Sequence, residues 1–222
     1  MKTITLKLHS FDELDKAARE KALVEYSDLN VGFDWWNDQY DDFVGLCSYL
    51  GIVVDKQSIR FSGFYSQGDG STFNATVDIP QLVAAIQTEA WKEYAPLEKF
   101  SFTLPAVDRR VLALVSKGVL PEEPQMTSRT RGYSVNVDLG ISVFLQGRRS
   151  HDHVFDELDK LQDWLALVAV KLNAYLYSAL EKQYEYLTSE NGLAESIIAN
   201  DYLFTADGRS ANHLTQLTQR KS

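Results

Sequence analysis

Apolar residues recur at helical spacing near the start of the chain. Ser10 is followed three residues later by Glu13, a capping box that predicts a helix over 11–26. Apolar side chains three or four residues apart predict a second helix over 34–50. Gly51 stands where a glycine commonly ends a helix, so the second helix should stop there.

The longest periodic stretch lies near the C-terminus. Residues 152–187 contain no Gly or Pro, and leucines recur along one stripe, which predicts one continuous helix. At 1.5 Å per residue it would span about 54 Å, more than the usual diameter of a small domain. Such a helix bends, projects or packs on another chain. It is therefore a candidate surface for homo-oligomer formation.

Alternating apolar and polar positions predict strands over 58–66 and 71–79, with a turn at 67–70. A third helix should cover 81–94, and a further strand 133–145. Together these elements predict an α+β fold, in which an antiparallel sheet carries helices on one face and a long helix lies near the C-terminus.

The sequence also predicts how the chain is divided into a domain, a tail and a proline-rich segment. We expect one α+β domain over 1–205 and a polar, mobile tail over 206–222. Residues 96–132 hold four of the five prolines; within them, 107–117 favours a short helix and the remainder a loop.

Composition narrows the class of protein. The chain has 222 residues, 45% of them hydrophobic, and a net charge of −9. Its single cysteine, Cys47, excludes a disulfide framework, and the negative charge argues against non-specific binding to nucleic acid or anionic membranes. With no signal peptide and no apolar stretch of membrane-spanning length, we expect a cytoplasmic protein.

Acidic residues dominate one stretch of the sequence. No Lys or Arg occurs between Lys21 and Lys56. The carboxylates in this interval are Glu25, Asp28, Asp34, Asp38, Asp41, Asp42 and Asp55. One interpretation is a negative surface that docks on a basic protein patch, with the aspartates from 34 to 42 as binding residues. The alternative is a solvated helix face.

Two adjacent tryptophans begin the predicted second helix. Helical phase with Tyr40 and Phe43 assigns Trp36 to the core, which turns Trp35 outward as a candidate binding residue. Alternatively, Trp35 packs under the first helix.

Three other features bear on chemistry. The Gly68–Ser71 turn is a candidate anion-binding nest, and Asp69 a candidate metal ligand, although a hairpin turn explains both residues. His151 and His153 lack a partnered ligand cluster, and Cys47 on an apolar helix face is expected to be a core thiol. We expect no metal, no cofactor and no catalytic residue, because no catalytic motif is present.

Several strings of residues resemble a family of small proteins carried by bacteriophages and prophages. The most specific is Phe61–Gly70, which reads Phe-Ser-Gly-Phe-Tyr-Ser-Gln-Gly-Asp-Gly. The others are Ser10–Leu14, Asp34–Trp36 and Leu180–Ser189. Against this family, residues 96–132 resemble an insertion. The matched loop implies that Tyr65, Gln67 and Asp69 are candidate binding residues.

The resemblance implies a binding function rather than catalysis. Relatives are often labelled as an antitoxin of a toxin–antitoxin stability system, and phage accessory proteins of this size often oppose host defences. The leading hypothesis is a non-enzymatic protein that binds and inhibits a bacterial host protein, such as a defence component, inside the host cytoplasm. One alternative is an antitoxin that neutralises a partner toxin. Another is a sponge or enzyme for a small anionic ligand at the Gly68–Gly70 turn.

Overall fold

A computed structural model describes residues 6–89, 91–94, 101–117, 125–128, 135–138 and 152–214. The chain groups into two compact units. Met1–Trp36 and Glu181–Ser222 form the terminal unit, and Asn37–Leu180 form the central unit. The single domain expected over 1–205 stays a prediction, as does the insertion over 96–132.

The terminal unit contains one small two-stranded sheet and the helices that cover it. Its elements are β1 (His9–Ser10), a 3-10 turn (Phe11–Glu13), α1 (Lys16–Glu25), α7 (Glu190–Ala199) and β6 (Leu203–Phe204). Strands β1 and β6 pair antiparallel. A core of Phe11, Leu14, Ala18, Ala22, Ile197 and Phe204 fills the space between these elements.

The first helix begins later than the sequence indicated. Ser10 does donate its backbone N–H to the Glu13 carboxylate, but this pair caps only the 3-10 turn. Leu14 is extended, so the helical run breaks there. Helix α1 then begins with a second cap, in which the Asp15 carboxylate accepts the Ala18 N–H at 2.8 Å.

The segment expected to be a mobile tail is packed through residue 214. Gly208 has φ +84° and lies against the backbone oxygen of Ala18, where an added Cβ would clash. The hydroxyls of Tyr26 and Ser210 are 2.6 Å apart, and Ala211 is fully buried. Residues 206–214 therefore belong to the terminal unit's structure.

The central unit is built on a four-stranded antiparallel sheet of β2 (Ile52–Ser62), β3 (Gly70–Val77), β4 (Gln125–Ser128) and β5 (Val135–Asp138). The strands lie in the order β2-β3-β4-β5. The sequence predicts a loop for the part of 96–132 that contains Gln125–Ser128, and that prediction is wrong. The residues form strand β4, which pairs with β3. Strand β5 lies inside the range predicted as a strand, 133–145, of which only 135–138 are among the described residues.

The helices of the central unit are α2 (Asn37–Tyr49), α3 (Ile79–Thr88), α4 (Trp91–Tyr94), α5 (Arg109–Ser116) and α6 (Asp152–Thr188). Gly51, with φ +72°, follows the end of α2, as predicted. The single helix expected over 81–94 is divided, because Glu89 adopts a left-handed conformation between α3 and α4. The long helix forms as predicted and spans about 55 Å; its last eight residues lie in the terminal unit.

Two helices of the central unit, α2 and α6, pack on one face of the sheet. Along β3, Ser71, Phe73 and Ala75 are buried, as alternation predicted. The ring of Phe43 on α2 lies 5.1 Å from that of Phe73, and Ser71 donates its hydroxyl to Asn173 on α6 at 2.8 Å. Both helices thus pack on the same side, which confirms the predicted α+β fold.

The apolar stripe of α6 is buried within the chain. Its buried members include Leu158, Leu161, Leu165, Val168, Leu172, Leu176 and Leu180. This stripe is therefore already covered without a second copy, and self-association through the long helix stays a prediction. Within the described segments, no helix combines the length and apolarity needed to cross a bilayer.

Candidate functional site

The β2–β3 loop, residues 63–69, is held by one carboxylate. Asp69 accepts the backbone N–H groups of Tyr65 at 3.1 Å and Ser66 at 2.7 Å. The Asp69 N–H in turn donates to the Ser66 carbonyl at 3.1 Å. Carboxylate-to-amide bonds are stronger than neutral ones, so they fix the backbone of a loop whose side chains are largely exposed.

Two glycines make this arrangement possible, for different reasons. A Cβ on Gly63 would lie 2.9 Å from the Asp69 carboxylate, so only glycine lets that group approach the end of β2. Gly68 has φ +98° with open space around it, which makes its requirement conformational. Gly70 instead lies in strand β3 opposite Ser62, so its expected share in the turn is wrong.

Aromatic contacts join the loop to β2 and to α6. Phe64 stacks on Phe61, with centroids 5.6 Å apart, and contacts the ring of Tyr177 on α6 at 5.5 Å. Tyr177 also donates its hydroxyl to the Gly63 carbonyl at 3.1 Å. Tyr65, by contrast, is 74% exposed. The loop therefore displays one aromatic ring on a backbone that is anchored to the sheet and to α6.

The loop's chemistry fits contact with a partner better than capture of an anion. The carboxylate of Asp69 occupies the N–H groups of Tyr65 and Ser66, which a nest would need for an anion. Its negative charge would also repel such a ligand. Gln67 is exposed beside Tyr65 and adds an amide that can donate and accept. Of the three predicted loop residues, Tyr65 and Gln67 are exposed, and the bonds of Asp69 fix the backbone that carries them.

The acidic face of α2 consists of Asp38, Asp41 and Asp42, which are all exposed. They lie opposite the buried side of the helix, which carries Phe43 and Cys47. This places three of the predicted carboxylates on one surface of the central unit.

Two of these acids interact with neighbouring side chains, and one of those neighbours carries the opposite charge. Asp41 forms an ion pair with Lys56 on β2. Burial raises the pKa of Tyr94, and the carboxylate of Asp42 raises it further through a hydrogen bond and its charge. A Cβ on Gly45 would clash with the Tyr94 ring, so this glycine lets Tyr94 lie across α2. The acidic face thus has a net charge less negative than its three aspartates alone suggest.

The remaining acids of the sequence interval do not lie on α2. Asp34 is exposed but belongs to the terminal unit. Glu25 accepts the Ser210 N–H at 3.0 Å, and Asp55 accepts the Gln57 N–H within β2. Several carboxylates of the interval therefore serve local structure.

The outward orientation expected for Trp35 is wrong, and the alternative in which its ring is packed agrees with the structure. Trp35 is buried, at 9% exposure, and Trp36 is half-buried. Because α2 begins only at Asn37, both residues precede the helix and its phase does not apply to them. The Trp35 ring packs 5.8 Å from those of Trp36 and Tyr184. Trp35 is thus a core residue of the terminal unit rather than an exposed binding residue.

The remaining candidate residues are Cys47, His151 and His153, of which the structure describes Cys47 and His153. Cys47 is fully buried, and burial raises the pKa of its thiol, which makes it unreactive. His153 lies with its Nε2 3.4 Å from the Asp108 carboxylate, while His151 lies outside the described residues. Within the described part of the chain, no three His, Cys, Asp or Glu side chains are grouped to hold a metal ion.

Sequence reasoning missed the residues that shape the loop. Gly63 and Tyr177 carry no local signal of this role, because it depends on contacts across six and 114 positions of the chain. The only available signal was the unusual density of Gly and aromatic residues in the Phe61–Gly70 string.

Comparison with known proteins places the chain in one family. Residues 35–190 match a family model described as Domain of unknown function (DUF8835), and the chain belongs to this family. Neither the curated proteins nor the solved structures provided a match.

Proposed function

We propose that this member of the DUF8835 family is a non-enzymatic phage or prophage accessory protein that binds and inhibits a bacterial host protein, such as a defence component. The observation that carries the proposal is the exposed Tyr65 ring on a loop fixed by Asp69. The resemblance of the Phe61–Gly70 string to phage and prophage proteins supports the biological setting.

A fixed backbone favours protein recognition because little conformational entropy remains to be lost on binding. Tyrosine is common among the residues that dominate binding energy at interfaces, since its ring buries a large area and its hydroxyl can still bond. Tyr65 has both features, and the exposed amide of Gln67 stands two residues away. We assign these two residues to the contact itself.

The acidic face of α2 has a second role in the proposal. Exposed charge raises the rate at which oppositely charged proteins meet, while it adds little to the lifetime of the complex. Asp38, Asp41 and Asp42 would steer a partner with a basic surface. Their role and the loop's role are therefore separable by kinetics.

The test starts from tagged protein in lysate of a bacterial host, with captured proteins quantified by mass spectrometry. The captured partner is then purified, and its binding and activity are measured directly. Tyr65→Ala should weaken binding at least tenfold, whereas Leu167→Ala, which removes a 61% exposed side chain elsewhere on the central unit, should change it less than twofold.

Inhibition needs its own measurement. Wild-type protein should reduce the partner's activity at stoichiometric amounts and, if the partner is a defence component, restore plating of a phage that it restricts. A Tyr65→Ala variant that folds and inhibits as well as wild type would contradict the proposed contact. A bound partner whose activity is unchanged would contradict the inhibitory function.

A further inference from the structure

The central unit contains a groove that the proposed contact does not use. It has a volume of about 560 Å³ and lies between α3, α5 and the segment 101–108. Val83 of α3, Leu104 and Val107 of the segment, and Leu112 of α5 give it apolar walls. This volume is within the usual range for sites that bind small molecules.

A smaller cavity lies next to the groove. It measures about 100 Å³, shares Val83 and Leu112 with the groove, and is completed by Ile79 and Pro80 at the start of α3. The two spaces therefore share part of one wall.

One wall of the groove is fixed from behind by α6. Trp164 donates its indole N–H to the Thr103 carbonyl at 2.7 Å. Glu157, itself buried, accepts the Asp108 N–H at 2.6 Å. These bonds hold the segment 101–108 against α6. Because the wall is already positioned, a ligand would need little reorganisation to enter.

The polar groups at the groove favour a negatively charged ligand. Among the described lining residues Arg109 is the only charged one, and Gln87 adds an amide. The neighbouring acid, Asp108, is already engaged: its carboxylate accepts the Arg110 N–H at 2.8 Å and lies 3.4 Å from His153. A guanidinium next to apolar walls suits a carboxylate with an alkyl chain, since it can donate two parallel hydrogen bonds to the two oxygens.

We propose that this groove binds a small amphipathic carboxylate of the medium-chain fatty-acid type. The carboxylate lies at Arg109, and the alkyl chain lies against Val83 and Leu112. This site is independent of the Tyr65 loop. Because each buried methylene improves affinity by about fourfold at most, chain length should matter strongly until the apolar space is filled.

The experiment titrates decanoate into the full chain by calorimetry, below the concentration at which decanoate forms micelles. We expect saturable binding of one decanoate per chain, at least fivefold weaker binding of octanoate, and at least tenfold weaker binding of decanol, which lacks the charge. Absence of saturable binding, or equal binding of decanol and decanoate, would overturn the proposal.

Adjacent residues supply matched controls. Arg109→Gln should weaken decanoate binding at least tenfold, while Arg110→Gln, which removes the same charge outside the lining, should change it less than twofold. Leu112→Trp should block the groove, and Leu114→Trp, at a 40% exposed position of the same helix, should not. Circular dichroism checks that each variant folds. If a tryptophan variant fails to fold, the two arginine variants still decide whether decanoate binds in the groove.

A second copy of the chain is the competing occupant. Sedimentation velocity distinguishes the two cases. A monomer that binds decanoate supports the proposal. A dimer that Leu112→Trp disrupts, and that decanoate leaves intact, would show that the groove is an interface between copies and overturn it.

Discussion

The β2–β3 loop and the acidic face of α2 are both exposed parts of the central unit, but their side chains are used in opposite ways. In the loop, Asp69 is committed to the backbone, and Tyr65 is displayed as a result. On the acidic face, the carboxylates of Asp38, Asp41 and Asp42 are exposed on α2, and the packing of the helix's buried side already stabilises it. Substitutions that disturb the bonds of Asp69 should therefore lower stability, whereas substitutions on the face should change charge, and through it the association rate, with little loss of stability.

The largest stability loss should come from Gly63→Ala. The added Cβ would displace the Asp69 carboxylate, which then loses its bonds to Tyr65 and Ser66. At about 1 kcal/mol per bond, we expect a loss of about 2 kcal/mol in the free energy of unfolding by urea. Gly32→Ala is the control, because its Cβ would meet its nearest atom only at 3.4 Å. Equal, small effects of both substitutions would remove Asp69 as the organiser of the loop.

Gly68→Ala should cost roughly 1–2 kcal/mol, because φ of +98° is unfavourable for any residue with a Cβ. The space around Gly68 is open, so the loss would be conformational strain without a clash. Gly70→Ala, at a position in strand β3, should cost less. Urea unfolding of the two variants side by side checks the order, and the reverse order would mean that the turn is formed by Gly70.

Asp69→Ala should cost about 1–2 kcal/mol and Asp69→Asn about half as much, since asparagine keeps an acceptor oxygen but not the charge. The double variant Gly63→Ala with Asp69→Ala tests the mechanism. If Gly63 matters only because it admits this carboxylate, the double variant should be less destabilised than the sum of the two single variants, by about 1 kcal/mol. Additive losses would mean that Gly63 acts on the backbone independently of Asp69.

The contrast between the two regions also explains what could be read from the sequence. Periodicity located α2 and the uninterrupted α6 because both depend on local spacing and on breakers such as Gly51. It failed at Trp35, where helical phase was extended two residues beyond the true start of α2. It also missed β4, whose pairing with β3 brings together residues about fifty positions apart.

The residues of the candidate site also differ in whether the sequence could predict them. The sequence predicted Tyr65 and Gln67 as binding residues through the resemblance of the Phe61–Gly70 string, and the acids of α2 through an interval without Lys or Arg. All of these residues are exposed. It did not reveal that Asp69 accepts the N–H groups of Tyr65 and Ser66, because nothing in the residue types fixes where that side chain points. It also did not reveal that Tyr177 reaches Gly63, because that contact joins residues 114 positions apart. The hydrogen bonds of Asp69 within the loop and of Tyr177 to Gly63, rather than residue types, fix the loop backbone on which Tyr65 is exposed.

The smallest stability effect should come from the triple variant Asp38→Asn, Asp41→Asn, Asp42→Asn. These exposed substitutions conserve volume, so we expect a change within about 0.5 kcal/mol, with part of it due to the lost ion pair between Asp41 and Lys56. Binding to the host partner should nevertheless slow in its association phase and depend less on salt, because exposed charges act over a Debye length of about 8 Å at physiological ionic strength. Dissociation should change little, in contrast to Tyr65→Ala, which should speed it.

The matched control removes the same number of charges from α6 through Asp156→Asn, Asp159→Asn and Asp163→Asn, which are exposed on the same unit. If both triple variants slow association equally, the net charge of the chain steers the partner and the acidic face of α2 has no special part. If only the α2 variant slows it, while Tyr65→Ala alone speeds dissociation, the two regions divide recognition as their structures indicate: charge on the helix for encounter, and a fixed ring on the loop for retention.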